Sequence, residues 1–338
     1  MMGCWGIGCL HSSLSTLHSP PFTPHPSPFT LHPSPFTHHP SPTTLHPPPF
    51  TLIWTTTMNA TLRHTRYVIS ENWITFGAFA LFFVFVLFAI FGDAIAPYRP
   101  TMSDSAIALQ GPTLAHWFGT DQLGRDVLSR VIVATRLDLG IAVLAVALSF
   151  MAGSILGTCA GYFGGWTDRI ISRLVDTLMA FPLFVLAMGL VAALGNTIEN
   201  IIYATAIINL PLYTRVVRSE VLVRRQAGFV DAARLVGNGD WRIMARHLFP
   251  NVMPVLMVHI SLNMGWAILN AAGLSFIGLG VRPPTPEWGI MVAEGASYII
   301  SGQWWLALFP GAVLMLAVFC FNLLGDGLRD LIDPRMRT

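Results

Sequence analysis

The chain has 338 residues, of which 53% are hydrophobic and only 11% charged, with a formal net charge of +2. Soluble domains carry roughly 25% charged residues, so this composition excludes a water-solvated globular surface and makes a lipid bilayer the expected solvent. All 19 basic residues are arginine, which excludes a GxxxxGK[ST] phosphate loop and any lysine Schiff base.

The amino-terminal segment 1–57 holds no charged side chain other than histidine. From His18 it runs in heptads: HSPPFTP, HPSPFTL, HPSPFTH, HPSPTTL and HPPPFTL. Such a Pro-rich repeat cannot build a core and is expected to be disordered or polyproline-like. Its histidines raise the idea of metal capture, and no basic n-region supports a signal peptide. The preferred reading is a mis-called start, a translated tandem repeat ahead of Met58, which opens an ordinary short basic terminus, MNATLRHTRYVISENW. Cys4, Cys9, Cys159 and Cys320 lack metal-site spacing with histidine. They read as small apolar residues, and no metal site is expected.

Charge-free windows then mark the membrane spans, each needing about 20 apolar residues. They cover 72–92, 139–167, 177–198, 248–281 and 295–325, with a shorter window at 200–214 that has to borrow a turn beyond Arg215, its arginines snorkelling. Pro182, Pro211, Pro254 and Pro310 fall inside these windows, which membrane helices tolerate. The expected fold is an all-α polytopic membrane protein with six transmembrane helices. With the amino terminus placed in the cytoplasm, fourteen arginines lie inside and five outside, so the positive-inside rule sets both termini and the 215–249 loop on the cytoplasmic side.

That loop carries seven arginines between Arg215 and Arg246. FVDAARLV reads as a helix stopped by Gly237-Asn238-Gly239. Asp240 can cap a second helix, in which Trp241, Met244, Ala245, Leu248 and Phe249 make an apolar stripe. Pro250 is read as the point where the chain re-enters the membrane. On these grounds alone the segment is either an amphipathic loop on lipid headgroups or a docking element for a cytoplasmic partner. In the 93–138 loop, Asp121, Arg125 and Asp126 form either an internal ion-pair cluster or contacts on the outer face.

The stretch DAARLVGNGDWRIMARHLFPN resembles the EAA loop of binding-protein-dependent ABC importer permeases. Asp231, Ala232, Ala233, Gly237 and Pro250 fall on that pattern, while Asp231, His247 and Phe249 depart from it in residue type. HWFGTDQLGRDVLSR, GYFGGWTDRIISRLVDTLMAFP, LSFIGLGVRPPTPEWG and FNLLGDGLRDLIDPR are similar to the dipeptide/oligopeptide/nickel branch. The resemblance implies a type-1 ABC importer permease in a bacterial inner membrane. It implies a first helix and outer loop over 58–138, a permease domain over 139–328 and a cytoplasmic tail at 329–338. It further implies a coupling loop of Asp231, Ala232, Ala233, Gly237, Asp240, His247 and Pro250, and outer-face contacts at Asp121, Arg125 and Asp126 with an extracytoplasmic solute-binding protein. The expected partners are a second permease, two cytoplasmic ATPases that use the ATP, and that binding protein. No cofactor bound by this chain and no nucleic acid are expected. The rival class is a self-sufficient channel or secondary transporter, which would want ionisable residues buried in mid-span, and the windows offer no Asp, Glu, Lys or Arg and the single histidine His259.

Overall fold

Apolar chain in lipid has to satisfy every backbone N–H internally, which selects helix. The computed structural model describes residues 73–332 and follows that rule. Apart from one bridge between Thr120 and Asp126, no β structure occurs among the described residues. The heptad repeat, the start expected at Met58 and the tail after Ile332 lie outside the described residues.

Helix α1 is Trp73–Ile95. Helix α2, Val127–Phe163, has 37 residues and is therefore about 55 Å long, far more than roughly 30 Å of hydrocarbon requires. It begins twelve residues ahead of the 139–167 window; Asp138, which closed that window, is buried and accepts from the Trp288 N–H, and the helix runs back through the exposed Arg136 to Val127. Helix α3, Gly165–Met179, and helix α4, Leu183–Leu194, meet at a bend of 89°. Pro182 sits at that break, where a ring without an N–H cannot continue the helix. The window 177–198 is thus interrupted, and α4 alone, at 12 residues, reaches about 18 Å.

Helix α5 is Ile198–Arg224, running through Arg215 as expected. Its arginines meet carboxylates. Arg215 meets Asp176 at 2.7 Å and Arg218 Nη2 meets Asp168 at 2.6 Å, both on α3. Helix α6, Gly228–Leu235, leads into helix α7, Asp240–Phe276. A short helix α8, Trp288–Ala296, precedes α9, Trp305–Ile332, so the 295–325 window is split between two elements.

Four helices (α1, α2, α7 and α9) are long and apolar enough to cross a membrane, and the bent pair α3–α4 would make a fifth. Helix α5, read as the fourth of six, is continuous but falls outside that group, its apolar run interrupted by Asn200, Asn209, Pro211 and Arg215. Helix α2 packs along α5 and against α1 and α7, and α9 lies on α7. Three glycines set the α2–α5 contact. A Cβ on Gly153, Gly157 or Gly161 would come within 3 Å of α5 atoms, and at Gly157 it would meet the Thr214 carbonyl oxygen at 2.6 Å. Small residues at this spacing let backbones approach where lipid offers no hydrophobic drive.

Candidate functional site

The helix pair after α5 is mounted on the far end of α2. Arg225 donates from Nη1 to the carbonyl oxygens of Gly161 (3.0 Å) and Tyr162 (3.2 Å), using a cation to satisfy the orphan acceptors of a helix C-terminus. Helix α6 then turns Val230 and Ala233 into a buried cluster with Tyr162, Val217, Val221 and Ile243. Its other side, with Asp231 and Ala232, is exposed. Asp231 pairs with Arg234 at 3.3 Å, an exposed pair that adds little stability. The Arg234 guanidinium lies over the Tyr162 ring, 5.6 Å from its centroid.

Gly237 ends α6 with a φ of +86°. Its N–H donates to the Arg234 carbonyl (2.9 Å), and the Asn238 N–H donates to the Ala233 carbonyl (3.1 Å), which is the Schellman arrangement. The Asn238 side-chain amide donates to the same Ala233 oxygen at 3.1 Å. A Cβ at Gly237 would meet nothing within 4 Å, so this turn constrains the torsion and not the volume. At its apex Leu235 is 89% exposed and Val236 82% exposed. Two large apolar side chains thus stand side by side and exposed on a short, hydrogen-bonded turn.

Asp240 does not cap α7 as expected. Gly239 takes the cap position without a side-chain bond, and the Asp240 carboxylate accepts from the Tyr162 hydroxyl at 2.6 Å. The hydroxyl reaches it from α2, so the group expected to serve its own helix ties two helices together. The apolar stripe is also rotated. Ile243, Met244 and Leu248 are buried, whereas Trp241 and Ala245 turn outward and border an apolar cavity of ≈ 390 Å³ with Phe150, Met151 and Ile155. A π-type turn over Met244–Leu248 causes this, since the Phe249 N–H donates to Met244, five residues back, and widening the helix slows its rotation. The same turn relieves the clash that Pro250 would make with the carbonyl four residues earlier. Pro250 therefore marks no break, and α7 runs through it. The His247 side chain is half-buried and makes no hydrogen bond among the described residues.

At the opposite end of α2, Asp121, Arg125 and Asp126 are all buried. Asp121 Oδ2 accepts from Arg125 Nε at 2.6 Å and also from Arg130, and Glu294 lies 3.8 Å and 3.6 Å from the two arginines. Asp126 caps α2, accepting from the Ser129 N–H (2.8 Å) and hydroxyl (2.6 Å), with His116 Nδ1 at 2.9 Å. These groups are spent inside the fold, and the internal cluster is the arrangement observed. None of the three is presented as an outer-face contact. Arg130 and Glu294, which complete the network, were not singled out by sequence. Nor were Tyr162, Arg225 and Arg234. The GYFGG run held the only local signal for them, a tyrosine inside a glycine-rich helix end.

Residues 150–338 match the family described as binding-protein-dependent transport system inner membrane component. The chain is 42% identical over 254 residues to the dipeptide transport system permease protein of Alkalihalophilus pseudofirmus, covering 75% of this chain and 83% of that protein. It is 44% identical over 250 residues to the probable D,D-dipeptide transport system permease protein of Escherichia coli, covering 74% and 84%. It is 43% identical over 229 residues to the glutathione transport system permease protein of Pectobacterium atrosepticum, covering 68% and 76%. Among solved structures it is similar to the inward-facing MetNI methionine ABC transporter, with a TM-score of 0.49 and 15% identity over 60% of this chain and 96% of that one. The chain belongs to the binding-protein-dependent transport system inner membrane components, as a multi-pass permease subunit of an ABC importer.

Proposed function

We propose that this permease forms the membrane path of an ATP-driven importer of short peptides, together with a second, similar permease. In this reading two separate ATPases dock on the Asp231–Phe249 helix pair and on its counterpart in the second permease, and a soluble binding protein delivers cargo at the other end of the bundle. The carrying observation is the exposed Leu235–Val236 apex on a Schellman turn held against α2 by Tyr162 and Arg225. Such a knob is rigid enough to transmit a push, and α7 extends from it through the bundle without a break. The absence of lysine supports ATP hydrolysis on another chain. The fourteen-to-five arginine bias supports a cytoplasmic position for this end and for both termini. The peptide class is supported by relatives whose names specify dipeptide, D,D-dipeptide and glutathione transport, all short peptides.

The test is reconstitution of the chain in proteoliposomes with its second permease, ATPases and binding protein. ATP-dependent accumulation of radiolabelled dialanine or glutathione is expected, and none without the ATPases. Accumulation by this chain alone, driven by an ion gradient, would instead establish a secondary transporter.

A further inference from the structure

Between Pro250 and Phe276 helix α7 carries no formal charge, yet among its polar or amphipathic side chains His259, Asn263, Trp266 and Asn270 fall on one side. Their spacing of i, i+4, i+7 and i+11 puts them within about 60° on one face. The stripe covers about 17 Å along the helix, near the middle of a crossing. These groups are not used up within the fold. The Asn263 side chain, 3% exposed, lies buried beside the Tyr213 hydroxyl of α5, and the buried Thr205 hydroxyl has no hydrogen-bond partner among the described residues. Asn270 donates only to its own helix, at the Trp266 carbonyl (2.9 Å). His259 is half-buried and bonds to no other side chain among the described residues, while Trp266 is 63% exposed.

Amides and an imidazole facing hydrocarbon without partners are costly, so polar side chains in mid-span turn toward protein or toward a water-filled cavity. We infer that the His259–Trp266–Asn270 face of α7 is the peptide-contacting wall of the transport path, the Asn270 amide pairing with the peptide backbone and Trp266 packing on side chains, with Asn263 buried behind it against α5. The inference rests on the peptide reading above and assigns its site.

The chemistry matches the cargo. A peptide backbone offers alternating donors and acceptors, which an asparagine amide complements with one of each. A wall without formal charge leaves the ionic peptide termini to water, and binding stays weak enough for release, as conduction requires. The placement matches the drive as well. The docking apex and the polar face belong to one connected path, because α7 runs unbroken from Asp240, where Tyr162 anchors it, to Phe276. Movement of the helix pair by its ATPase therefore displaces this wall directly.

The test uses the assembled transporter in proteoliposomes, with the photoreactive substitution Trp266→benzoylphenylalanine. For comparison, Met257→benzoylphenylalanine lies on the opposite side of α7, at a residue 42% exposed. Radiolabelled dialanine or glutathione, whichever the wild type imports, is expected to form a light-dependent adduct at position 266 and none at 257, and excess unlabelled peptide should abolish it. Asn270→Leu should lower the uptake rate about tenfold, the loss of roughly one net hydrogen bond. An assembled complex that imports peptide while position 266 crosslinks only to the second permease or to lipid overturns the inference and leaves the peptide reading intact. Unchanged uptake by Asn270→Leu overturns it too. A wild-type complex that imports neither peptide removes the peptide reading, and this wall with it.

Discussion

Replacing Gly157 by alanine puts a methyl group where α2 and α5 touch most closely. The added Cβ would lie 2.6 Å from the Thr214 carbonyl oxygen and 2.8 Å from Val217 Cβ, so α5 has to retreat by roughly 1 Å in an interior packed as tightly as an organic crystal. Tilting offers no escape, because Gly153 and Gly161 meet α5 at 2.6 Å and 2.9 Å on either side. Overpacking of this kind costs about 1–3 kcal/mol, and the helix propensity of alanine over glycine returns about 1 kcal/mol. The net expectation is a loss of about 0–2 kcal/mol. Gly140 lies in the same helix with nothing within 4 Å of a built Cβ, so Gly140→Ala should gain about 0.5–1 kcal/mol. At about 2–4 °C per kcal/mol, the melting temperatures of the two purified variants should move in opposite directions and differ by several degrees. Equal melting temperatures would refute the close α2–α5 contact.

Gly237→Val should abolish coupled uptake through about 1–3 kcal/mol of torsional strain, whereas Gly237→Asn should keep it, since asparagine visits the left-handed region; uptake by the two reconstituted variants decides this. Tyr162→Phe removes the donor to Asp240 and should cost about 0.5–1.5 kcal/mol, read as a lower melting temperature of the purified subunit. Asp121→Ala leaves Arg125 and Arg130 buried without the carboxylate they share and should cost about 3–5 kcal/mol. Failure to accumulate in the membrane is the expected result, while a normally stable variant with weakened affinity for a binding protein would restore the outer-face role.

What the sequence made legible was local. The α6–turn–α7 pair could be read because Gly237 and the residues beside it carry their own torsional signal, and the Schellman bonds span only residues 233–238. What it hid was long-range. Asp240 looked like a cap because its partner, Tyr162, lies on another helix. Asp121, Arg125 and Asp126 could be read as an internal cluster or as outer-face contacts, and Glu294, which joins the cluster, is far away in sequence. The charge-free windows failed for the same reason. They treated Asp138 as the end of a span, although the fold buries it within α2. They also passed over the break at Pro182, since a bend of 89° leaves no trace in hydropathy.

The central claim is that the exposed apex of the helix pair is where separate ATPases grip this permease. Leu235→Glu and Val236→Glu put charge on that surface alone. Both side chains are more than four-fifths exposed, and substitutions at such positions change folding stability by only about 0.5 kcal/mol. Each variant should insert, pair with the second permease and melt as the wild type does. Affinity purification of the assembled complex measures how much ATPase is retained per permease. The account predicts that retention and ATP-dependent uptake are lost together in both variants. Wild-type retention and uptake in both would contradict it.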